Sequence, residues 1–154
     1  MKAWIASLAV VVLLFAGCGG GGDSSSATTT ERGGEALTKA ELIEQGDAIC
    51  AKPLAIRASL NPEGTPEEAV RVASLVTAMV NRLLALGTPK ETEYTYAEYT
   101  TAAHALVQAE TEVKAMAKKG DPVDLRRAES GSLSTFSMFE SLAGQYGFTD
   151  CAGI

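Results

Sequence analysis

The chain has 154 residues, of which 46% are hydrophobic and 6% aromatic, and its formal net charge at pH 7 is −6. No basic stripe is visible among its 13 lysines and arginines, which argues against binding to nucleic acid or, directly, to an anionic lipid surface. Behind an N-terminal segment of different composition, the length is enough for one domain with a single hydrophobic core.

The first 17 residues have the pattern of a secretory signal peptide: one charge at Lys2, an apolar run and small residues before Cys18. The Phe15-Ala16-Gly17-Cys18 ending resembles the bacterial lipoprotein box, although Phe15 stands where leucine is usual. That resemblance implies that Cys18 is lipidated and becomes the mature N-terminus. A secreted protein with an incidental Cys18 and an uncleaved anchor are the alternatives, but the run is shorter than the roughly 20 residues that span a membrane.

Residues 18–36 predict a disordered tether. They contain four consecutive glycines followed by serines and threonines, and no apolar side chain larger than alanine occurs between Gly19 and Glu35. Such a segment cannot bury enough surface to fold and behaves as a flexible coil. We expect a lipid-anchored protein on the outer face of the cell membrane, with the tether holding its domain clear of the lipid. A tail without an anchoring role is the alternative.

Residues 37–154 form the predicted domain, which opens with two clear helix starts. Thr38 with Glu41, and Thr65 with Glu68, have the spacing of capping boxes. The second helix is predicted to end before Gly87. Pro53 interrupts the apolar pattern of the first helix, so we expect a kink near residues 49–52.

The third helix is predicted to start between Pro89 and Glu93 and to run to about Lys118, and the fourth to open at Asp121-Pro122 and close at Gly147. The predicted buried face of the third helix is Tyr99, Ala102, Ala103, Leu106, Val113 and Met116. That of the fourth is Leu125, Ala128, Leu133, Phe136, Phe139, Leu142 and Tyr146. No strand pattern competes, so the sequence predicts an all-α, antiparallel, up-and-down bundle of about four helices.

Cys50 and Cys151 are the cysteines outside the lipoprotein box. Export would place them in an oxidising compartment, where such a pair indicates one disulfide between the C-terminal tail and the middle of the first helix. Two free buried thiols are the alternative. No histidine or third cysteine lies at ligand spacing from either, so no metal site is predicted.

Signals for catalysis are weak. His104 is the single histidine and could act as a general base or a ligand, but a structural or surface role is the simpler interpretation. The Glu-x-x-His motif of di-metal bundles is absent because Thr101 lies three residues before His104. No haem, phosphate-loop, nucleophile-elbow or zinc motif occurs. We expect no catalytic residue, no metal, no cofactor and no enzymatic activity.

Two further segments allow a structural and a functional interpretation. Tyr94, Tyr96 and Tyr99 could cover the open end of the bundle or form an interaction patch, with at least one of them exposed. Gly131 lies in the middle of the fourth helix and indicates either a close helix crossing or local looseness that opens a pocket.

Both ends of the domain resemble a group of small uncharacterised lipoproteins from high-GC Gram-positive bacteria. The first segment, residues 37–50, ends in Asp-Ala-Ile-Cys, and Tyr-Gly-Phe-Thr-Asp-Cys at residues 146–151 matches the group's Tyr-Gly-Leu-x-Asp-Cys. The resemblance implies a Cys50–Cys151 pair in a small helical domain, and it implies no activity. Gly46, where the group has alanine, and Pro53 depart from it, so a continuous first helix is not expected.

These features predict a binding or interaction module of the cell envelope, whose partner is an unknown envelope protein or small ligand. The alternative is a carrier of a small apolar molecule within the bundle, which predicts an interior cavity, expected beside Pro53, Gly131 or Gly144.

Overall fold

The computed structural model describes residues 36–59, 64–91 and 93–153. They form four helices, α1 (Lys39–Ala58), α2 (Pro66–Leu84), α3 (Tyr94–Lys119) and α4 (Pro122–Tyr146), and no strand occurs among them. The predicted all-α bundle of four helices is therefore confirmed. The predicted signal peptide, Cys18 and nearly all of the predicted tether lie outside the described residues.

The helix starts follow the capping signals in the sequence. Both predicted capping boxes form, Thr38 with Glu41 and Thr65 with Glu68. The Asp121 carboxylate accepts hydrogen bonds from the backbone N–H groups of Val123 and Asp124, at 2.8 and 3.2 Å. At α3, Glu93 is the N-cap residue but its side chain makes no capping bond. Local side-chain chemistry thus defines three of the four starts.

α1 is continuous through Gly46 and Pro53, so the expectation of an interrupted first helix is wrong. At Gly46 the reason is tertiary. The ring of Phe148 lies so close to this position that a Cβ atom would collide with it. Glycine therefore allows the C-terminal tail to pack directly on the α1 backbone.

The main core lies at the end of the bundle where α1 begins. It contains six aromatic rings, those of Tyr96, Tyr99, Phe136, Phe139, Tyr146 and Phe148. The Tyr99 ring centroid lies 5.0 Å from that of Phe148 and 5.7 Å from that of Phe139, so the rings form one continuous cluster. Contact between early α3 and late α4, Tyr96 against Tyr146, agrees with antiparallel packing.

A second, smaller core lies at the opposite end and consists of small and aliphatic residues. Its buried members are Ala69, Ala73, Val113, Leu125 and Ala128. It joins early α2, late α3 and early α4, as an up-and-down bundle requires. The two ends of the domain therefore differ in the size of the side chains that they bury.

On α4, Ser132 takes the inward position that the sequence analysis assigned to Leu133. Leu133 is 54% exposed, which corrects the predicted buried face. The spacing explains it, because Ser132 lies four residues after buried Ala128 and four before buried Phe136. Gly131 is exposed and a Cβ there would meet nothing within 4 Å, so no helix crosses closely at this glycine.

The loop between α2 and α3 is fastened to the start of α1. The Lys90 N–H donates to the Leu37 carbonyl at 2.8 Å, and Glu91 Oε2 accepts from the Lys39 N–H at 2.9 Å. Glu93 Oε2 pairs with Lys39 Nζ at 2.7 Å, and this hydrogen bond lowers the pKa of Glu93. Glu91 and Glu93 thus bind α1 rather than occupying the first turn of α3.

Candidate functional site

A cleft of about 360 Å³ lies at the end of the bundle opposite the start of α1, and all four helices contribute to it. We call it the Glu110 cleft. Its lining includes Arg57 of α1, Ala69 and Val72 of α2, Glu110 and Val113 of α3, and Glu129, Ser132 and Leu133 of α4. Its volume falls within the range of small-molecule sites, which combine apolar walls with a few polar groups.

Glu110 is the buried charged residue of the described core and is only 4% exposed. The Ser132 hydroxyl donates to Glu110 Oε1 at 2.8 Å across α3 and α4. Burial raises the pKa of Glu110, and the Ser132 hydrogen bond and the positive charges of Arg57 and Lys114 oppose that rise. A carboxyl group with a raised pKa inside a cleft is a frequent property of functional sites.

Arg57 covers the side of the cleft nearest the aromatic core. Its guanidinium carbon lies 3.8 Å from the ring centroid of Phe136, in the geometry of a cation–π contact. Glu129, on the same wall of the cleft as Ser132, also has its pKa raised by burial. The cleft thus contains one stacked cation and carboxyl groups that are partly removed from water.

Sequence reasoning did not single out Glu110, Arg57 or Ser132. A signal for Glu110 was present, because Leu106, Glu110 and Val113 have the spacing of one buried helix face and the middle residue is charged. Gly131, one of the positions at which the carrier hypothesis placed a cavity, does not itself line the cleft, although Ser132 and Leu133 that follow it in sequence do.

The three tyrosines proposed as an interaction patch do not lie on one surface. Tyr94 is 79% exposed, in agreement with the prediction that at least one of the three is exposed. Tyr99 is buried, as its place on the predicted buried face of the third helix requires, and Tyr96 is buried beside it in the main core. Burial raises the pKa of Tyr99 and raises that of Tyr146 to about 12. The Tyr96 hydroxyl donates to the Gly87 carbonyl at 2.6 Å and so closes the end of the bundle.

Tyr94 instead lines a second cavity, a groove of about 380 Å³ between α3 and α4. We call it the Tyr94 groove. Its other side chains include Ala97 and Ala105 of α3 and Met138 and Leu142 of α4. Met138 is also exposed, so this side of the bundle presents apolar surface to solvent.

Cys50 and Cys151 lie at disulfide-bonding distance, with sulfur atoms 2.03 Å apart and a separation of 101 positions in the sequence. The Asp47 carboxylate supports this junction. Its Oδ1 atom accepts from the N–H groups of Thr149 and Asp150 at 2.9 Å each, and from that of Cys151 at 3.4 Å. The aspartates and cysteines of the two terminal motifs therefore meet at one place.

His104 is exposed on α3 and lines none of the cavities described above. It does not meet the requirement of the catalytic interpretation, which needs acids around it in a cleft. The described residues contain no group of three His, Cys, Asp or Glu side chains placed to hold a metal ion. None of the four described helices combines the length and hydropathy needed to cross a membrane. Comparison of the chain with protein-family models, curated proteins and solved structures finds no match.

Proposed function

We propose that this chain is a lipid-anchored, extracytoplasmic binding module of the cell envelope. Cys18 carries the lipid on the outer face of the cell membrane, residues 18–36 form the tether, and the helical domain binds a small ligand in the Glu110 cleft. No catalytic step is part of the proposal. The main support for this proposal is the Glu110 cleft. It combines a buried carboxyl group with apolar walls, as small-molecule binding sites commonly do.

The position of the cleft supports a tethered binding role. The tether joins the domain at the start of α1, whereas Arg57 lies in the last turn of that helix. A helix of 20 residues is about 30 Å long. The cleft therefore lies about one helix length from the start of α1, the end of the helix that follows the predicted tether in sequence.

Binding is tested by screening small organic molecules against the full chain with its disulfide intact, by amide chemical shifts. We expect hits to perturb Val72, Val113 and Leu133. Leu133→Trp places a large ring at the cleft and should abolish those shifts. Met138→Trp, an equally exposed site on α4 that faces the Tyr94 groove, should preserve them. Hits that are lost with Met138→Trp alone would contradict the Glu110 cleft as the site.

A second candidate is an interaction module that docks an envelope protein along the Tyr94 groove. The exposed Tyr94 and Met138 side chains favour it, because large apolar groups on one exposed surface are typical of interaction sites. A photo-crosslinking residue at Tyr94 should then capture an envelope protein in cells. The same residue at exposed Glu112 of α3 should not, and equal capture at both positions would count against the groove.

The carrier of a small apolar ligand and the anchor itself are tested together by mass spectrometry. Protein extracted gently from its own membrane should carry acyl mass at Cys18, and Cys18→Ser should lose both that mass and the membrane attachment. A non-covalent mass that disappears on denaturation would favour the carrier. An unmodified Cys18 in the mature protein would overturn the anchor.

A further inference from the structure

We propose that the Glu110 cleft binds a small amphipathic cation, an amine on an apolar body, with the Glu110 carboxylate as its counter-ion. This inference rests on the binding function proposed above and names the ligand class of the same site.

Glu110 is a buried carboxyl group without a cationic partner in the part of the chain that the structure describes. Its hydrogen-bond partner there is the Ser132 hydroxyl at 2.8 Å, and no ion pair within 4.0 Å involves it. A buried carboxylate that is not paired with a positive charge is unfavourable. A ligand cation would supply the missing charge.

The charges around the cleft favour a cation over an anion. Three carboxyl groups, those of Glu68, Glu110 and Glu129, line it together with the single guanidinium of Arg57. The Arg57 guanidinium is already engaged with the Phe136 ring, and Glu68 Oε2 already accepts from the Thr65 N–H at 2.9 Å. Glu110 and Glu129 form no ion pair within 4.0 Å among the described residues, and the charges of Arg57 and Lys114 act on Glu110 only from a greater distance. These two carboxyl groups therefore remain to receive a ligand cation.

The remaining walls define the body of the ligand as apolar. Ala69, Val72 and Val113 form the inner wall, and the exposed Leu133 side chain stands at the rim. An alkyl or aryl group would cover Leu133, which otherwise lies in water, and would gain hydrophobic free energy by doing so. A carboxyl group inside the cleft together with aliphatic walls matches an amine with a short hydrocarbon tail.

Three probes of equal length test the ligand class: n-hexylammonium, n-hexanol and n-hexanoate, titrated at one ionic strength and followed by the amide shifts of cleft residues. We expect hexylammonium to bind about tenfold more tightly than hexanol, because a charge-assisted hydrogen bond to a carboxylate is worth that much. Hexanoate should bind most weakly. Equal binding of hexanol and hexylammonium would overturn the cation while leaving the proposed binding function intact, whereas no cleft shifts with any probe would overturn both.

The role of Glu110 is tested by Glu110→Gln, which keeps the size of the side chain and a carbonyl acceptor for Ser132. It should abolish the preference for hexylammonium over hexanol and leave hexanol binding unchanged. Glu112→Gln changes an exposed carboxylate two residues away on α3 and should keep the full preference. Glu129→Gln should reduce the preference in part, which provides a second test if Glu110→Gln does not fold. An unchanged preference in both Glu110→Gln and Glu129→Gln would overturn the proposal.

Discussion

At the scale of single residues, Gly46 and Gly131 have the same backbone conformation in opposite surroundings. Both lie inside helices, where glycine lowers stability relative to alanine. Gly46 faces the ring of Phe148, whereas Gly131 faces open space. The same substitution should therefore have opposite signs at the two positions.

Gly46→Ala should destabilise the domain by about 1–3 kcal/mol, because the new methyl group meets the Phe148 ring in a packed core. Gly131→Ala should stabilise it by about 0.5–1 kcal/mol through helix propensity alone. Urea unfolding of the disulfide-bonded protein measures both. The double variant Gly46→Ala with Phe148→Leu should lose less stability than the sum of its single changes, because the smaller side chain makes room. Additive losses would mean that Gly46 and Phe148 are not in contact.

Two tyrosines of the main core differ in what their hydroxyl groups contact. The Tyr96 hydroxyl donates to the Gly87 carbonyl, whereas the buried Tyr99 hydroxyl has no hydrogen-bond partner among the described residues. Tyr96→Phe should therefore cost about 1 kcal/mol of stability. Tyr99→Phe should be neutral or stabilising, because it removes a buried polar group that lacks a partner. Thermal unfolding of the two variants side by side checks this, and a larger loss for Tyr99→Phe would contradict the assignment of partners.

At the scale of elements, α1 is completed by the C-terminal tail. Residues 148–153 of the tail contain no helix or strand. Contacts with α1 hold them: the Asp47 hydrogen bonds, the packing of Phe148 on Gly46, and the Cys50–Cys151 bond. In the chain-entropy model, closing a loop of about 100 residues contributes up to about 4.7 kcal/mol. The tail is thus an integral part of the fold rather than a loose end.

Asp47→Ala should destabilise the disulfide-bonded protein by about 1–2 kcal/mol, because backbone N–H groups of the tail lose a charged acceptor. Glu44→Ala, one turn earlier and exposed, should change stability by less than about 0.5 kcal/mol. The denaturant midpoints of the two variants give the comparison. Equal midpoints would show that the Asp47 hydrogen bonds contribute nothing beyond the disulfide.

At the scale of the whole molecule, the two ends of the bundle are stabilised unequally. The end where α1 begins has the aromatic cluster and the disulfide, and the other end has small residues beside an open cleft. Regions with fewer buried apolar contacts open locally at lower free energy. The Glu110 cleft therefore lies in the half of the domain that should open locally at the lower free energy.

Native-state hydrogen exchange should reveal this difference along α4. Amides around Ala128 in the small core should exchange faster than those around Phe139 and Ala143 in the main core. A ligand that occupies the Glu110 cleft should slow the faster group selectively. Uniform protection along α4 would contradict the unequal stability of the two ends.

The pH dependence of stability should reflect Glu110. Its pKa is raised above the ordinary 4.5, so the folded state holds this proton more tightly than the unfolded state does. The stability that Glu110 contributes is therefore fully present below about pH 4.5 and is lost as the pH rises through its raised pKa. Glu110→Gln removes that loss, so its gain in stability over the unaltered protein should be larger at pH 7 than at pH 4. A gain from Glu110→Gln that does not depend on pH would contradict the raised pKa.

Such a gain would place a stability cost at the proposed binding site. Proteins commonly retain destabilising groups where function needs them. Glu110 is surrounded by charges from every helix: Arg57 of α1, Glu68 of α2, Lys114 of α3 and Glu129 of α4. Its burial is thus a property of the assembled bundle and not of α3 alone.

The sequence by itself determined the number of helices, nearly all of their ends and the pair of cysteines that meet. The helix number and ends depend on signals within a few residues, such as Thr38 with Glu41 or Asp121 with Pro122. The cysteine pair follows because residues 37–154 contain two cysteines. Only the tertiary structure decided that Tyr96 is buried, that Ser132 rather than Leu133 faces inward, and that Gly46 allows the tail to pack on α1. It also decided that four helices enclose a carboxyl group in a cleft. Each of these outcomes depends on side chains distant in sequence competing for the same space, and no local pattern records which of them occupies it.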